Sequence, residues 1–96
     1  MAPRPPVLSA QELDSRLERI PAWEVRDGGL WRRFVLTDFA EAFAFMTRVA
    51  AVAEELDHHP DWSNSWNSVE ISILSHDAGG ITDLCVELAS RIDAVL

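Results

Sequence analysis

The sequence contains a single cysteine and no lysine, and all of its apolar runs are short. One cysteine excludes an internal disulfide, which suits a reducing compartment. No segment approaches the roughly 20 apolar residues that span a bilayer, and the first ten residues lack the apolar core of a signal peptide. We therefore expect a cytoplasmic protein that has no membrane partner.

Positive charge is also scarce. Eight arginines stand against sixteen acidic residues, which gives a formal net charge of −8. A phosphate backbone would be repelled by this balance, so we expect no nucleic-acid partner. Apolar residues make up 48% of the 96 positions, enough for the core of one small domain. The proline-rich start predicts a flexible tail over residues 1–8 and a single domain over residues 9–96.

The first half of the domain predicts a helix, a hairpin and a second helix. Ser9 and Glu12 form a capping-box pattern ahead of a first helix of about ten residues. The segment "WEVRDGGLWRRFVL" alternates on both sides of Asp-Gly-Gly, which is typical of a hairpin. Asp38 begins a second helix that should end near Asp57, because Pro60 restricts the residue before it. The buried stripe that we predict for this helix is Phe39, Phe43, Met46, Ala50 and Ala53.

The second half repeats this order with a second hairpin and a last helix. "DWSNSW" and "VEISI" alternate in the manner of paired strands. Thr82 can cap a last helix, whose apolar stripe is Ile81, Cys85, Leu88, Ile92 and Val95. The order is αββαββα. Helices on one face of an antiparallel sheet would bury these stripes. The sequence therefore predicts an α+β two-layer domain with a four-stranded antiparallel sheet and three helices on one face.

The hairpin that follows Pro60 brings distant histidines together. With residues 67–68 as a two-residue turn, Ile73 pairs with Trp62, and the continued ladder puts His76 opposite His59. Directly opposed positions in a sheet have Cβ atoms about 4.5–5.5 Å apart. We therefore expect the imidazoles to be neighbours, with His58 one residue away at the helix exit.

Three uses of such a cluster stay open at this point. Imidazoles can act as general acid and base at neutral pH, can bind zinc, or can be structural. Zinc is disfavoured because the side chains of His58 and His59, being adjacent in an extended segment, point to opposite faces. Cys85 falls on the apolar stripe of the last helix, which indicates a core residue rather than a nucleophile. Trp62 and Trp66 fit either stacking on a planar ligand or packing on the sheet.

Several segments together resemble the pterin-4a-carbinolamine dehydratase family. They are "AEELDHHPDW", "NSVEISILSHDAGGIT" and "ELASRID", with "WRRFVLTDFAEAFAFMTRVA" similar to the central strand-to-helix segment of that family. The resemblance runs from about Leu13 to Ile92. It implies the fold predicted above, a homodimer or homotetramer, and no metal or organic cofactor. The implied reaction is removal of water from 4a-hydroxytetrahydropterin, which recycles the cofactor of aromatic amino acid hydroxylases.

The resemblance also implies a set of site residues. His58, His59 and His76 match the three active-site histidines of the family, and we expect them to be catalytic. The predicted substrate-binding residues, which flank these histidines or offer an aromatic ring, are Pro60, Trp62, Ser75, Asp77 and Ala78. The sequence departs from the family pattern at one position in a way that changes the chemistry: Cys85 stands where many members carry an aspartate. Relatives that serve as dimerisation cofactors or RuBisCO assembly factors make a non-catalytic binding protein the alternative.

Overall fold

The computed structural model describes residues 4–96 and places seven elements in the predicted order. They are α1 (Ala10–Leu17), β1 (Glu24–Arg26), β2 (Gly29–Val35), α2 (Phe39–Leu56), β3 (Asp61–Ser65), β4 (Ser68–Ile73) and α3 (Asp83–Ala94). The strands form one antiparallel sheet in the order β1-β2-β4-β3. The α+β fold expected from the sequence is confirmed. Among the helices of residues 4–96, none is both long enough and apolar enough to cross a membrane.

The chain start lies partly within the described residues. Residues 1–3 of the predicted tail fall outside them, whereas residues 4–8 run beside the loop that leads into α3. Leu8 donates its backbone N–H to the carbonyl of Ile81 at 2.9 Å, and Val7 forms an isolated bridge with Thr82. The flexibility of the tail and its boundary at residue 8 stay predictions.

Two of the three predicted helix starts carry side-chain caps, whereas the predicted cap of the last helix is wrong, because the Thr82 side chain forms no capping hydrogen bond. Ser9 Oγ accepts from the N–H of Glu12 at 3.1 Å, and Glu12 Oε1 accepts from the N–H of Ser9 at 2.9 Å, so the capping box is complete. The hydrogen bond from the Ser9 backbone lowers the pKa of Glu12. Asp38 accepts from the N–H of Glu41 at 2.8 Å at the start of α2. These local signals were sufficient to fix where the helices begin.

The core lies between the sheet and the helices. Leu30 and Phe34 of β2 and Val69, Ile71 and Ile73 of β4 are buried on the helix side of the sheet. The predicted stripe of α3 is confirmed, since Ile81, Cys85, Leu88 and Ile92 are buried and Val95 packs against them. Helices α2 and α3 pack on each other and on β4.

The predicted stripe of α2 is wrong for three of its five members. Phe39 and Phe43 are 50% and 56% exposed, and Ala50 is exposed as well, whereas Ala53 is buried and Met46 is partly buried against the core. The buried residues of α2 are Ala42, Phe45, Val49, Val52 and Ala53. The helix is apolar on two adjacent faces, so helical periodicity alone does not decide which face meets the sheet. The small side chain of Ala42 belongs to the face that does.

The predicted register of the second hairpin is wrong by two positions. Trp62 pairs with Ile71 rather than with Ile73, because the turn residues are Trp66 and Asn67 instead of residues 67–68. Trp66 takes left-handed backbone with φ of 49°, which is uncommon for a bulky residue and is not suggested by its type. A shift by two keeps every side chain on its predicted face, since strand side chains alternate with a period of two.

Two asparagines hold this turn in place. Asn64 Nδ2 donates to the backbone carbonyls of Trp66 at 3.0 Å and Ser68 at 2.9 Å. Asn67 Nδ2 donates to the carbonyl of Leu36 at 3.1 Å, and the N–H of Leu36 donates to the carbonyl of Asn67 at 2.8 Å. These bonds satisfy the backbone of the turn and offset the strain at Trp66.

Candidate active site

The first two histidines are positioned by the way α2 ends. Asp57 takes left-handed backbone with φ of 50° at the C-cap. Its N–H donates to the carbonyl of Glu54 at 3.2 Å, and the N–H of His58 donates to the carbonyl of Ala53 at 3.1 Å. This cap reverses the chain direction. His58 consequently turns inward beneath the helix, whereas His59 stays on the outside.

His58 is buried, with 9% of its surface exposed. Its Nε2 lies 3.2 Å from Sγ of Cys85, which is fully buried on α3. Burial lowers the pKa of His58, and the positive charge of Arg4 lowers it further, against a smaller opposing effect of Asp57. The ring is therefore held as a neutral imidazole at neutral pH.

His59 and His76 have the opposite setting. The Nε2–H of His59 donates to Oε2 of Glu54 at 2.5 Å, and the Nε2–H of His76 donates to Oδ2 of Asp61 at 3.0 Å. The side chains of the two histidines are 55% and 70% exposed. A carboxylate only accepts hydrogen bonds, so each pair fixes the proton on Nε2 and leaves Nδ1 free of that partner.

A closed loop after β4 positions His76. The N–H of Ser75 donates to the carbonyl of Gly80 at 2.8 Å, and the N–H of Gly79 donates back to the carbonyl of Ser75 at 2.8 Å. Gly79 has φ of 83°, a left-handed conformation that favours glycine. The buried hydroxyl of Ser75 accepts from the N–H of Ala78 at 3.1 Å. His76 and Asp77 lie at the tip of this loop.

All three histidines line one cavity of about 210 Å³. Of the predicted substrate-binding residues, Ser75 and Asp77 also line it, whereas Pro60 and Ala78 only adjoin lining residues. Trp62 lines a separate depression beside Trp31 on the sheet. Six lining residues were not in the predicted site: Arg4, Pro5, Asp57, Leu74, Thr82 and Leu84.

The expected neighbourhood of the histidines is present, but the predicted ladder is not its cause. With the observed turn, the continued ladder would put Leu74 rather than His76 opposite His59. The cap of α2 and the loop after β4 bring the rings to the same cavity instead. The contact between His58 and Cys85 was also missed. The only feature of the sequence that could have indicated this contact is that Cys85, which can form hydrogen bonds, replaces an aspartate of the family.

The side chains do not converge on a single point. Within residues 4–96, no group of three or more histidine, cysteine, aspartate or glutamate side chains is close enough to hold a metal ion. The zinc alternative left open by the sequence therefore gains no support from the geometry. The arrangement instead places one buried and two exposed imidazoles along one cavity, which suits proton transfer to and from a ligand.

Comparison with known proteins places this arrangement in a family. The family model described as pterin 4 alpha carbinolamine dehydratase matches residues 6–95. The chain belongs to the pterin-4a-carbinolamine dehydratase family. A relative from Synechococcus sp. strain WH7803, named provisionally as such a dehydratase, is 48% identical over 93% of this chain and 96% of its own. A Bradyrhizobium sp. strain BTAi1 relative with the same provisional name is 48% identical over 92% and 91%.

Solved structures of family members have the same fold. The crystal structure of a transcriptional coactivator/pterin dehydratase from Brucella melitensis is similar with a TM-score of 0.89 and 34% identity, over 93% of this chain and 97% of that one. A pterin dehydratase-like protein identified as a RuBisCO assembly factor in the alpha-carboxysome has a TM-score of 0.62 and 26% identity, over 76% and 84%. The fold therefore carries more than one function.

Proposed function

We propose that the protein is a hydro-lyase that removes water from a 4a-hydroxytetrahydropterin to give the quinonoid dihydropterin. This reaction recycles the cofactor of aromatic amino acid hydroxylases. The observation that carries the proposal is that His58, His59 and His76 line one cavity although they come from two separate segments. A protein that served only as a scaffold would have no need to place three imidazoles around one space.

The reaction needs two proton transfers and no electron transfer. The bond between C4a and the hydroxyl oxygen breaks, and a general acid protonates the departing oxygen so that it leaves as water. The N5–H proton passes to a general base, and its electron pair forms the C4a–N5 double bond. Imidazoles suit both steps because their unperturbed pKa lies near neutrality. General acid–base help of this kind contributes about 10²–10⁴-fold to a rate.

Different partners favour different roles for the histidines. We assign the acid to His76, because Asp61 accepts its Nε2–H and leaves Nδ1 as the atom that can deliver a proton. We assign the base to His58, which burial keeps neutral. His59, held by Glu54 at the rim, binds and orients the pterin. Acid and base exchange roles if the hydroxyl enters with the other configuration.

The remaining predicted residues have supporting roles in this proposal. Ser75 and Asp77 contact the substrate from the loop after β4, since both line the cavity. Pro60 restricts the backbone of His59, and the N–H of Ala78 fixes the Ser75 hydroxyl. A contact between Trp62 and the pterin is the least supported, because Trp62 lines a different depression.

The test is to generate the 4a-hydroxy species with a hydroxylase and to follow its decay spectroscopically. We expect the protein to accelerate decay, and His58→Ala and His76→Ala each to reduce the enzymatic rate by about 10²–10⁴-fold. His59→Ala should raise KM more than it lowers kcat. Glu87→Ala, at an exposed position of α3, is the control and should match the wild type. No acceleration by the wild type, or an unchanged rate for His76→Ala, contradicts the proposal.

The alternative is a non-catalytic binding or assembly protein, either a dimerisation cofactor or a RuBisCO assembly factor. The observation that favours it is the exposed apolar face of α2, where Phe39 and Phe43 lie with ring centroids 5.9 Å apart. An apolar face of this kind is typical of a protein-binding surface. Absence of dehydratase activity together with a tight protein partner selects this alternative.

The same face of α2 supports a homodimer or homotetramer, which we propose as the working state. A second copy of the chain would cover Phe39 and Phe43, and the added burial would stabilise a domain with such a small core. Light scattering should give a multiple of the 10.7 kDa chain mass, and Phe43→Ser should lower it while Glu87→Ala does not. A wild-type monomer at all concentrations contradicts this.

The net charge of −8 disfavours nucleic acid, and the reduced thiol of Cys85 suits the cytoplasm.

A further inference from the structure

The inner end of His58 rests on a thiol that the proposed mechanism has not used. Cys85 Sγ lies 3.2 Å from His58 Nε2 and 3.5 Å from Oγ1 of Thr82. Both Cys85 and Thr82 are buried, and the Thr82 hydroxyl does not cap the helix that it precedes. The hydroxyl is directed to the sulfur instead. The three side chains are thus linked through the sulfur, with His58 and Thr82 lining the cavity and Cys85 in the core.

The other ring nitrogen of His58 faces the cavity. Within the described part of the chain, no buried side-chain nitrogen or oxygen lacks a hydrogen-bond partner. The side chain of His58 has a hydrogen-bond partner only at Nε2 among these residues. Nδ1 must therefore reach the open space that His58 lines. If Cys85 determines whether Nε2 carries a proton, it also determines whether Nδ1 carries one, and Nδ1 is the atom available to a substrate.

A thiol and a carboxylate act differently on such a ring. A carboxylate carries charge and only accepts, so it holds the proton on Nε2 and favours imidazolium. A thiol is neutral and both donates and accepts weakly, so either neutral tautomer of the ring keeps its partner. We propose that Cys85 is the positioning residue of His58, holding its ring as a neutral imidazole whose Nδ1 presents either a lone pair or a proton to the pterin.

This inference rests on the proposed function and adds the reason why His58 is neutral and ready to accept a proton. With Nε2–H directed to the sulfur, Nδ1 takes the N5 proton of the pterin and the ring becomes imidazolium. The sulfur keeps accepting the Nε2–H during that step, and the Nδ1 proton then passes to solvent. With the thiol proton directed to Nε2, Nδ1–H is a donor instead. The buried base therefore needs no charged partner in the core.

Other charged groups near His58 do not take over the role of the sulfur. Arg4, His59 and His76 all oppose a positive charge on the ring, and only Asp57 favours one. Asp57 is exposed and forms an ion pair with Arg4 at 2.9 Å, so its effect on His58 is partly cancelled. Changing the residue at position 85 is therefore the cleanest way to change the state of the ring.

The experiment is an NMR titration of the ring nitrogens of His58 in the full chain. It compares the wild type with Cys85→Ser, Cys85→Ala and Cys85→Asp, and it needs no substrate. We expect a wild-type midpoint below 6.5 and a similar one for Cys85→Ser, which keeps a donor and acceptor. Cys85→Asp should raise the midpoint by about one unit or more. Cys85→Ala should change the tautomer ratio because Nε2 loses its partner.

The outcomes separate the inference from the proposed function. The inference fails if His58 has the wild-type titration midpoint and the wild-type tautomer ratio in both Cys85→Ala and Cys85→Ser, because Cys85 then does not position the ring. If Cys85→Asp does not fold, the serine and alanine variants still decide. In active protein, the acid limb of kcat/KM should follow the midpoint of His58 in each variant. An inactive protein with the expected NMR shifts would contradict the proposed function alone.

Discussion

The inner wall and the outer rim of the cavity use the same residue type in two ways. At the inner wall His58 is 9% exposed and contacts a thiol. At the rim the side chains of His59 and His76 are more than half exposed and donate to carboxylates. Burial opposes charge at the wall, whereas the rim imidazoles are exposed and each donates to a carboxylate. In the proposed mechanism, acid and base are therefore distinguished by their surroundings rather than by residue type.

The histidines of the inner wall and the outer rim also differ in how much they contribute to folding. His58 fills space between α2 and α3, so its ring supports the fold as well as the cavity. His76 sits on a surface loop whose shape depends on backbone hydrogen bonds of Ser75, Gly79 and Gly80. The rim residues can thus be changed with little effect on folding, whereas the wall cannot.

The largest expected effect is on stability. His58→Ala removes a buried ring and leaves Cys85 without its partner, and we expect it to lower the free energy of unfolding by about 2 kcal/mol. His76→Ala, at an exposed loop position, should change it by less than about 0.5 kcal/mol. Urea denaturation at neutral pH measures both values. Equal losses for the two variants would break the distinction between wall and rim.

The next effect is a dependence of stability on pH. Burial holds the folded-state pKa of His58 below its ordinary value of 6.5, so below pH 6.5 the unfolded chain binds the proton more readily than the folded one. The stability is fully present above pH 6.5 and should decline as pH falls below it. Thermal unfolding between pH 8 and about 5.5 should show this decline in the wild type and in His76→Gln.

The control for that pH effect is His58→Gln. It keeps a polar side chain but cannot titrate, so its melting temperature should fall less over the same range. The window stops above the pH at which most carboxylates begin to protonate, which keeps the comparison to histidines. An equal decline in His58→Gln would show that the buried ring is not its source.

The smallest effect concerns salt. The pair of His76 and Asp61 is exposed, so its coupling energy in a double-mutant cycle should be about 0.2–1 kcal/mol at low salt. It should approach zero in 1 M salt, where the screening length is about 3 Å. The cycle uses His76→Gln and Asp61→Asn. The tautomer of His58 should not respond to salt, and a salt response there would contradict its neutral state.

The sequence predicted the fold more reliably than it predicted faces and registers. Capping residues Ser9 and Asp38 and the apolar stripe of α3 are local signals, and they were sufficient. Helix α2 offers two apolar faces, and only packing against β4 and α3 selects the one with Phe45. The hairpin register depends on Trp66 adopting a left-handed conformation, and the hydrogen bonds that Asn64 and Asn67 donate to backbone carbonyls stabilise that turn.

The site was predictable in its three histidines, but only partly in its other lining residues and not in its contacts. The histidines were recognised from their pattern. The sequence did not show that Asp61 pairs with His76, because that contact depends on the loop closed by Ser75 and Gly80. Nor did it show that Cys85, a core residue by its stripe, faces an imidazole.

The most direct test of the account is whether one pterin touches all three imidazoles. The measurement is an NMR titration of the ring nitrogens with 7,8-dihydrobiopterin, a stable reduced pterin. We predict that the resonances of His58, His59 and His76 shift together along one binding curve. Saturation that leaves these rings unchanged, or that shifts only the indole resonances of Trp31 and Trp62, would contradict the account.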